Sequence, residues 1–110
     1  MKPKLKVWVT FGEEIKFGDG RARLLELIDE HGSLRGATKE FHMSYRHAWG
    51  YLRELEHAAG FSFVVRGPGA GPQSGMRLTP AGRRFVGRYR KFRAGVEDAM
   101  QRQFERSFGR

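Results

Sequence analysis

The stretch Gly32–Trp49, read as Gly-Ser-Leu-Arg-Gly-Ala-Thr-Lys-Glu-Phe-His-Met-Ser-Tyr-Arg-His-Ala-Trp, is the part of this chain that most restricts its fold. Two helix starts lie close together, Ser33 before Leu34 and Ser44 before Tyr45, with only His42-Met43 left as a turn between the helices. Serine favours the N-cap because its hydroxyl takes up a backbone N–H that the first helical turn cannot satisfy. Two short helices joined by such a turn predict a helix-turn-helix, in which the first helix braces the second against a DNA major groove. The second helix is predicted to run on through Gly50-Tyr51-Leu52-Arg53-Glu54-Leu55-Glu56 to about Ala59, with Gly60 ending it.

The surrounding sequence completes a recognisable order. Leu5–Phe11 alternates apolar and polar residues as a half-buried strand does, and Glu13–Phe17 reads as a second short strand returning from Gly12. Asp19 is a candidate cap for a helix from about Arg21 to His31, where Leu24, Leu27, Ile28 and His31 share one face. After Gly60 come a strand over Phe61–Arg66, a glycine-rich loop over 67–75, and a returning strand over Met76–Thr79. Such a hairpin behind a helix-turn-helix is a wing. From Pro80, an N1 proline behind a Thr79 cap, the chain is predicted helical to about Phe108. The expected fold is therefore α+β, mainly α: a winged helix-turn-helix with an N-terminal strand or hairpin and a long C-terminal dimerisation helix. One domain over 1–110 holds the helix-turn-helix at about 21–60, the wing at 61–79 and the last helix at 80–108.

Charge agrees with that fold. Twenty-one Lys and Arg against twelve Asp and Glu give a formal net charge of +9, which predicts attraction to polyanions. With no cysteine there is no disulfide framework and no thiolate zinc site, which fits the cytoplasm, and the nucleoid in particular. The apolar run Val7-Trp8-Val9 is too short for a signal sequence, and no segment approaches a membrane span. The histidines, His31, His42, His47 and His57, form no i, i+4 pair, and no His/Asp/Glu cluster has ligand or general-base spacing. Neither an enzyme nor a metal or cofactor site is expected.

At about 100° per residue, Ala48, Leu52, Leu55 and Ala59 form the inward arc of the recognition helix. The opposite arc holds Arg46, Gly50, Arg53 and His57, bordered by His47 and Glu54. Arg46 is the first candidate for a bidentate guanine contact, followed by His47 and Arg53, while Tyr45 either packs or reaches the DNA. Ser33, Arg35, Ser44, Arg66, Gln73, Ser74, Arg77 and Arg83 surround this helix and the wing, and are expected to hold phosphates. Phe85, Tyr89, Phe92, Val96 and Met100 step by about 3.5 residues, an apolar seam suited to pairing with a second copy. The expected partners are double-stranded DNA and a twin of the chain. The charge alone also suits a non-specific architectural DNA-binding protein.

The run Ser44-Tyr45-Arg46-His47-Ala48-Trp49 resembles the recognition-helix start of the ModE family of molybdenum-responsive transcription regulators. So does the order of a strand, Gly18-Asp19-Gly20-Arg21-Ala22-Arg23-Leu24-Leu25, helix-turn-helix, glycine-rich wing and Leu78-Thr79-Pro80-Ala81-Gly82. Leu52-Arg53-Glu54-Leu55-Glu56 and the Leu-Thr-x-Ala-Gly pattern are also similar to LysR-type winged helices. The resemblance covers roughly residues 5 to 100. It implies a DNA-binding domain that dimerises through its terminal helices and recognises an operator as a repressor or other regulator. ModE proteins with a sensor carry a molybdate-binding region after this point, so no small-molecule ligand is expected for these residues alone.

Overall fold

The computed structural model describes residues 1–67 and 75–109. It is a winged helix-turn-helix built mainly from helices. Strands β1 (Trp8–Phe11) and β2 (Ile15–Gly18) pair antiparallel, with Trp8 opposite Gly18 and Phe11 opposite Ile15. Both are shorter than the sequence pattern suggested. Pairing stops at Trp8 because its partner Gly18 is the last residue of β2, and Glu13 and Glu14 are used by the turn after Gly12. Gly12 has φ of 63°, the left-handed conformation that glycine adopts without steric cost.

Helix α1 (Asp19–His31) follows directly. Its N-cap is Gly18 and no side chain caps it, so the expected capping role of Asp19 is not realised. The Asp19 carboxylate is drawn instead to the last helix, where it accepts hydrogen bonds from the Tyr89 hydroxyl at 2.6 Å and Arg93 Nε at 3.1 Å. Leu24, Leu27 and Ile28 are buried as the periodicity required, together with Ala22 and Leu25. His31 is exposed, because its imidazole turns outward to Glu40 at 2.9 Å.

Helices α2 (Leu34–Phe41) and α3 (Tyr45–Ala59) begin at the two serine caps. Ser33 Oγ accepts the Gly36 N–H and Ser44 Oγ the His47 N–H, both at 3.0 Å. His42 ends α2 in the left-handed conformation, with φ of 58°, which makes the sharp turn into α3. Ala37 and Ala48 are fully buried.

The wing ladder joins β3 (Val64–Arg66) to β4 (Met76–Leu78), with Val64 opposite Leu78 and Arg66 opposite Met76. The first half of the strand expected over Phe61–Arg66 is not in the ladder. Glu56 Oε2 takes the N–H groups of Phe63 (2.6 Å) and Val64 (3.2 Å), and the Phe61 and Phe63 rings stack at 4.5 Å. A carboxylate and an aromatic stack have replaced strand pairing there.

Helix α4 (Pro80–Phe108) starts behind Thr79, whose Oγ1 accepts the Gly82 N–H at 2.9 Å. Its first three turns close the core. Phe85 lies 4.9 Å from Phe17, 5.1 Å from Phe11 and 5.4 Å from Phe63, ring centre to ring centre, and Tyr89 is 5.3 Å from Phe17. Edge-on and tilted aromatic contacts of this kind add to the gain from burial. The five-residue seam expected to meet a second copy is therefore divided. Phe85 and Tyr89 belong to the chain's own core, while Phe92, Val96 and Met100 lie beyond it.

Among the described residues four ion pairs tie α1 to α4: Asp29 with Arg83, Glu26 with Arg90, and Asp19 with both Arg90 and Arg93. The hydrogen bond from Tyr89, and then the guanidinium of Arg93, hold the Asp19 carboxyl below its ordinary value. Arg90 does the same for Glu26. Burial pushes Asp29 up, but the Leu78 amide and Arg83 outweigh it and leave its pKa lowered. All three carboxyls thus have folded pKa values below their unfolded ones. Their stabilisation is complete above the usual carboxylate range near pH 4 and is lost as pH falls through it into the lowered folded values. Thermal melts between pH 7 and pH 2.5 are expected to show the midpoint falling mainly below pH 4.5. Asp29→Asn should start lower at pH 7 and lose less on acidification than the wild type.

Candidate nucleic-acid interface

The outer side of α3 carries Arg46, His47, Arg53 and His57, all exposed, with Gly50 half-buried among them. None of these four cationic or titratable side chains makes an ion pair among the described residues. Their caps and packing explain the presentation. Ser44 fixes the first turn, and Ala48, Tyr51, Leu52 and Leu55 bury the opposite side. Gly50 has open space where a Cβ would project, so nothing within the chain requires glycine there.

Tyr45 and Trp49 flank this stripe. Both are half-buried and meet edge-on at 6.4 Å. The Arg66 guanidinium sits 5.3 Å from the centre of the Trp49 ring, a cation–π contact that joins β3 to α3. Arg66, expected at a phosphate, thus extends along the recognition helix from the wing. Arg35 and Arg77 are exposed, on α2 and β4 respectively. Ser33 and Ser44 hold their caps, each hydroxyl keeping its own proton to donate. Gln73 and Ser74 lie outside the described residues.

Arg83 does not fit its expected part. Its Nε and Nη2 make three hydrogen bonds with the Asp29 carboxylate, at 2.9 to 3.2 Å, so its guanidinium is engaged by an acid of α1 at the surface. Its role is to hold α4 to α1.

Sequence reasoning missed the residues that position the wing. Asp29 Oδ1 accepts the Leu78 N–H at 3.0 Å, and the Gly32 carbonyl accepts the Met76 N–H at 2.9 Å. With Glu56 at the start of β3, these bonds aim the hairpin. Tyr51 was missed too: it is buried in mid-helix, with the Arg21 guanidinium 4.2 Å from its ring centre and its hydroxyl donating to the Lys16 carbonyl at 3.3 Å. One signal for the α1–α4 pairs was present. Asp19, Glu26 and Asp29 repeat at steps of seven and three residues, as do Arg83, Arg90 and Arg93.

A cationic, unpaired stripe on the second helix of a helix-turn-helix, with a wing beside it, is an arrangement that reads DNA. Comparison with known proteins agrees. Residues 20–83 match the model of the bacterial regulatory helix-turn-helix proteins of the lysR family. The chain belongs to this family. The matched region is the helix-turn-helix of these regulatory proteins. Among curated relatives, it is 38% identical over 88 residues to the molybdenum transport protein ModE of Azotobacter vinelandii, covering 80% of this chain and 33% of that one. Identity to the molybdenum-pterin-binding protein MopB of Rhodobacter capsulatus is 32% over 92 residues, 84% of this chain and 34% of the relative. MopA of the same organism is 34% identical over 71 residues, 64% of this chain and 27% of the relative. The chain spans about a third of the length of these relatives. As a member of the lysR family it carries its matched region from the start of α1 to the first turn of α4. No helix among the described residues is long and apolar enough to cross a membrane.

Proposed function

We propose that this chain is a dimeric, sequence-specific regulator of the ModE type, a repressor of genes connected with molybdenum, acting on the DNA of the cytoplasm. The observation that carries the reading is the stripe of Arg46, His47 and Arg53 on α3, exposed and without an ion pair among the described residues, whereas Arg23, Arg83, Arg90 and Arg93 each have one. In this reading Arg46 and Arg53 contact base edges, with His47 and Tyr45 beside them. Ser33, Arg35, Ser44, Arg66 and Arg77 hold phosphates, and Arg83 is left out.

The second copy sits on the outer part of α4. Phe92 is 47% exposed, and Val96 and Met100 continue its line past the end of the core. A two-fold dimer sets two recognition helices about 34 Å apart, one turn of DNA. Selection from a random DNA pool tests both claims. It should return a pseudo-palindrome with half-sites about 10 base pairs apart, bound roughly 10³-fold or more tighter than bulk sequence. A uniform affinity would make the chain an architectural protein, and a single half-site would remove the dimer.

These residues are not expected to bind molybdate themselves. A tetrahedral dianion needs several convergent donors, and here Ser33, Ser44 and Thr79 stand singly at the starts of three different helices, while Thr38 already donates to the Arg35 carbonyl. Calorimetry of the 110-residue chain with molybdate at physiological ionic strength should give no saturable isotherm; micromolar binding would overturn this.

A further inference from the structure

The basic residues of α4 between 83 and 93 fall into two sets. Arg83, Arg90 and Arg93 face α1 and are neutralised by Asp29, Glu26 and Asp19, with Glu97 also on Arg93. Arg84, Arg88 and Lys91 are exposed and have no acidic partner among the described residues. At about 100° per residue they project opposite Gly82, Val86 and Tyr89, which are buried. The outer side of α4 is therefore a line of three unneutralised cations spanning about 10 Å.

A second feature of the same side is its bareness. Gly87 and Gly95 are helical and exposed, and a Cβ at either would meet nothing within 4 Å. Glycine in a helix interior costs up to about 1 kcal/mol against alanine, and no packing inside the chain accounts for it here. Cations flanked by bare backbone suit a close-lying polyanion. The stripe is also separate from the recognition surface. Asp19, Glu26 and Asp29 of α1 face α4, whereas Arg21 faces Tyr51 of α3, so the two helices occupy different flanks of α1.

We propose that Arg84, Arg88 and Lys91 form a second polyanion-binding surface that takes the phosphate backbone of another DNA segment while α3 holds the first. Binding there is independent of sequence, because the phosphate backbone it grips carries no sequence information, and it falls steeply with salt as counterions are released. The regulator then brings two stretches of DNA together.

The test uses the full chain and the variant R84Q/R88Q/K91Q. An immobilised duplex selected by the wild type is saturated with protein, and capture of a second, labelled duplex of unrelated sequence is measured. The wild type should capture it with a log–log salt slope of about −2.7, three phosphates' worth. The variant should lose capture at least tenfold while keeping its melting temperature, and its affinity for the first duplex should stay within twofold. Undiminished capture by the variant overturns the proposal, since the bridge would then come from two recognition helices of a dimer. Parallel loss of first-duplex affinity also overturns it, placing the three residues on the first duplex. So does a wild type that captures no duplex but binds polyglutamate, which would assign the stripe to an acidic protein partner.

Discussion

Gly82→Ala is expected to destabilise the domain severely. Gly82 is the third residue of α4 and packs directly on the backbone at Phe63, where an added methyl would lie far inside contact distance of the Phe63 carbonyl oxygen. Neither side can yield cheaply. The Gly82 N–H is held by Thr79 Oγ1, the Thr79 N–H by that same Phe63 carbonyl at 3.0 Å, and the Phe63 N–H by Glu56. Forcing two backbones apart in a packed core costs about 3 kcal/mol, the upper end of the usual overpacking range. For a domain of this size the melting temperature should fall by roughly 10–20 °C. Gly87→Ala is the control: its site is open, so that melting temperature should hold or rise. A Gly82→Ala protein melting within 3 °C of the wild type would mean that the junction of wing and α4 is loose.

Replacing Arg46 and Arg53 together by alanine is expected to abolish sequence preference while leaving the fold intact. Both side chains are exposed and make no ion pair among the described residues, so their removal costs the free protein little. Each good bidentate contact to a base is worth about 1–3 kcal/mol of discrimination, so the pair removes several orders of magnitude of specific affinity. Binding to bulk DNA should survive on the remaining cations. Arg77→Ala should do the opposite, weakening all sequences alike and reducing the salt slope by about one unit. Fluorescence anisotropy on selected and scrambled duplexes separates the two behaviours. Unchanged preference in the double variant would mean that α3 presents a different side to DNA.

Much of the architecture was legible because local signals agreed with one another. Ser33, Ser44 and Thr79 each cap the helix they precede, and Gly32 and Gly60 end helices in the left-handed conformation. The apolar arcs of α1 and α3 follow helical periodicity, so burial could be read from spacing. Three of the failures share a cause, namely a carboxylate acting outside its own neighbourhood. Asp19 looks like a cap from its neighbours, but its partners are 70 and 74 positions away. Glu56 and Asp29 hold the wing by bonds that leave no local pattern. The seam on α4 has correct periodicity throughout, yet spacing alone cannot say where the domain's own core stops claiming it. The candidate base-reading residues follow from exclusion of the buried arc, and Arg83 among the proposed phosphate contacts is claimed by an internal acid, Asp29.

The carboxylate of Asp29 has a mechanical consequence. One side chain grips the amide of Leu78 in the wing and the guanidinium of Arg83 in the long helix, so the hairpin and the rod share a single anchor point. A tilt of the rod pulls on the same oxygens that aim the hairpin. If the wing holds DNA as proposed, a twin or a second DNA segment on α4 would work against or with that grip, and thermodynamic reciprocity would require the DNA under the wing to change binding at α4 by the same factor. Asp29 is the joint of a lever.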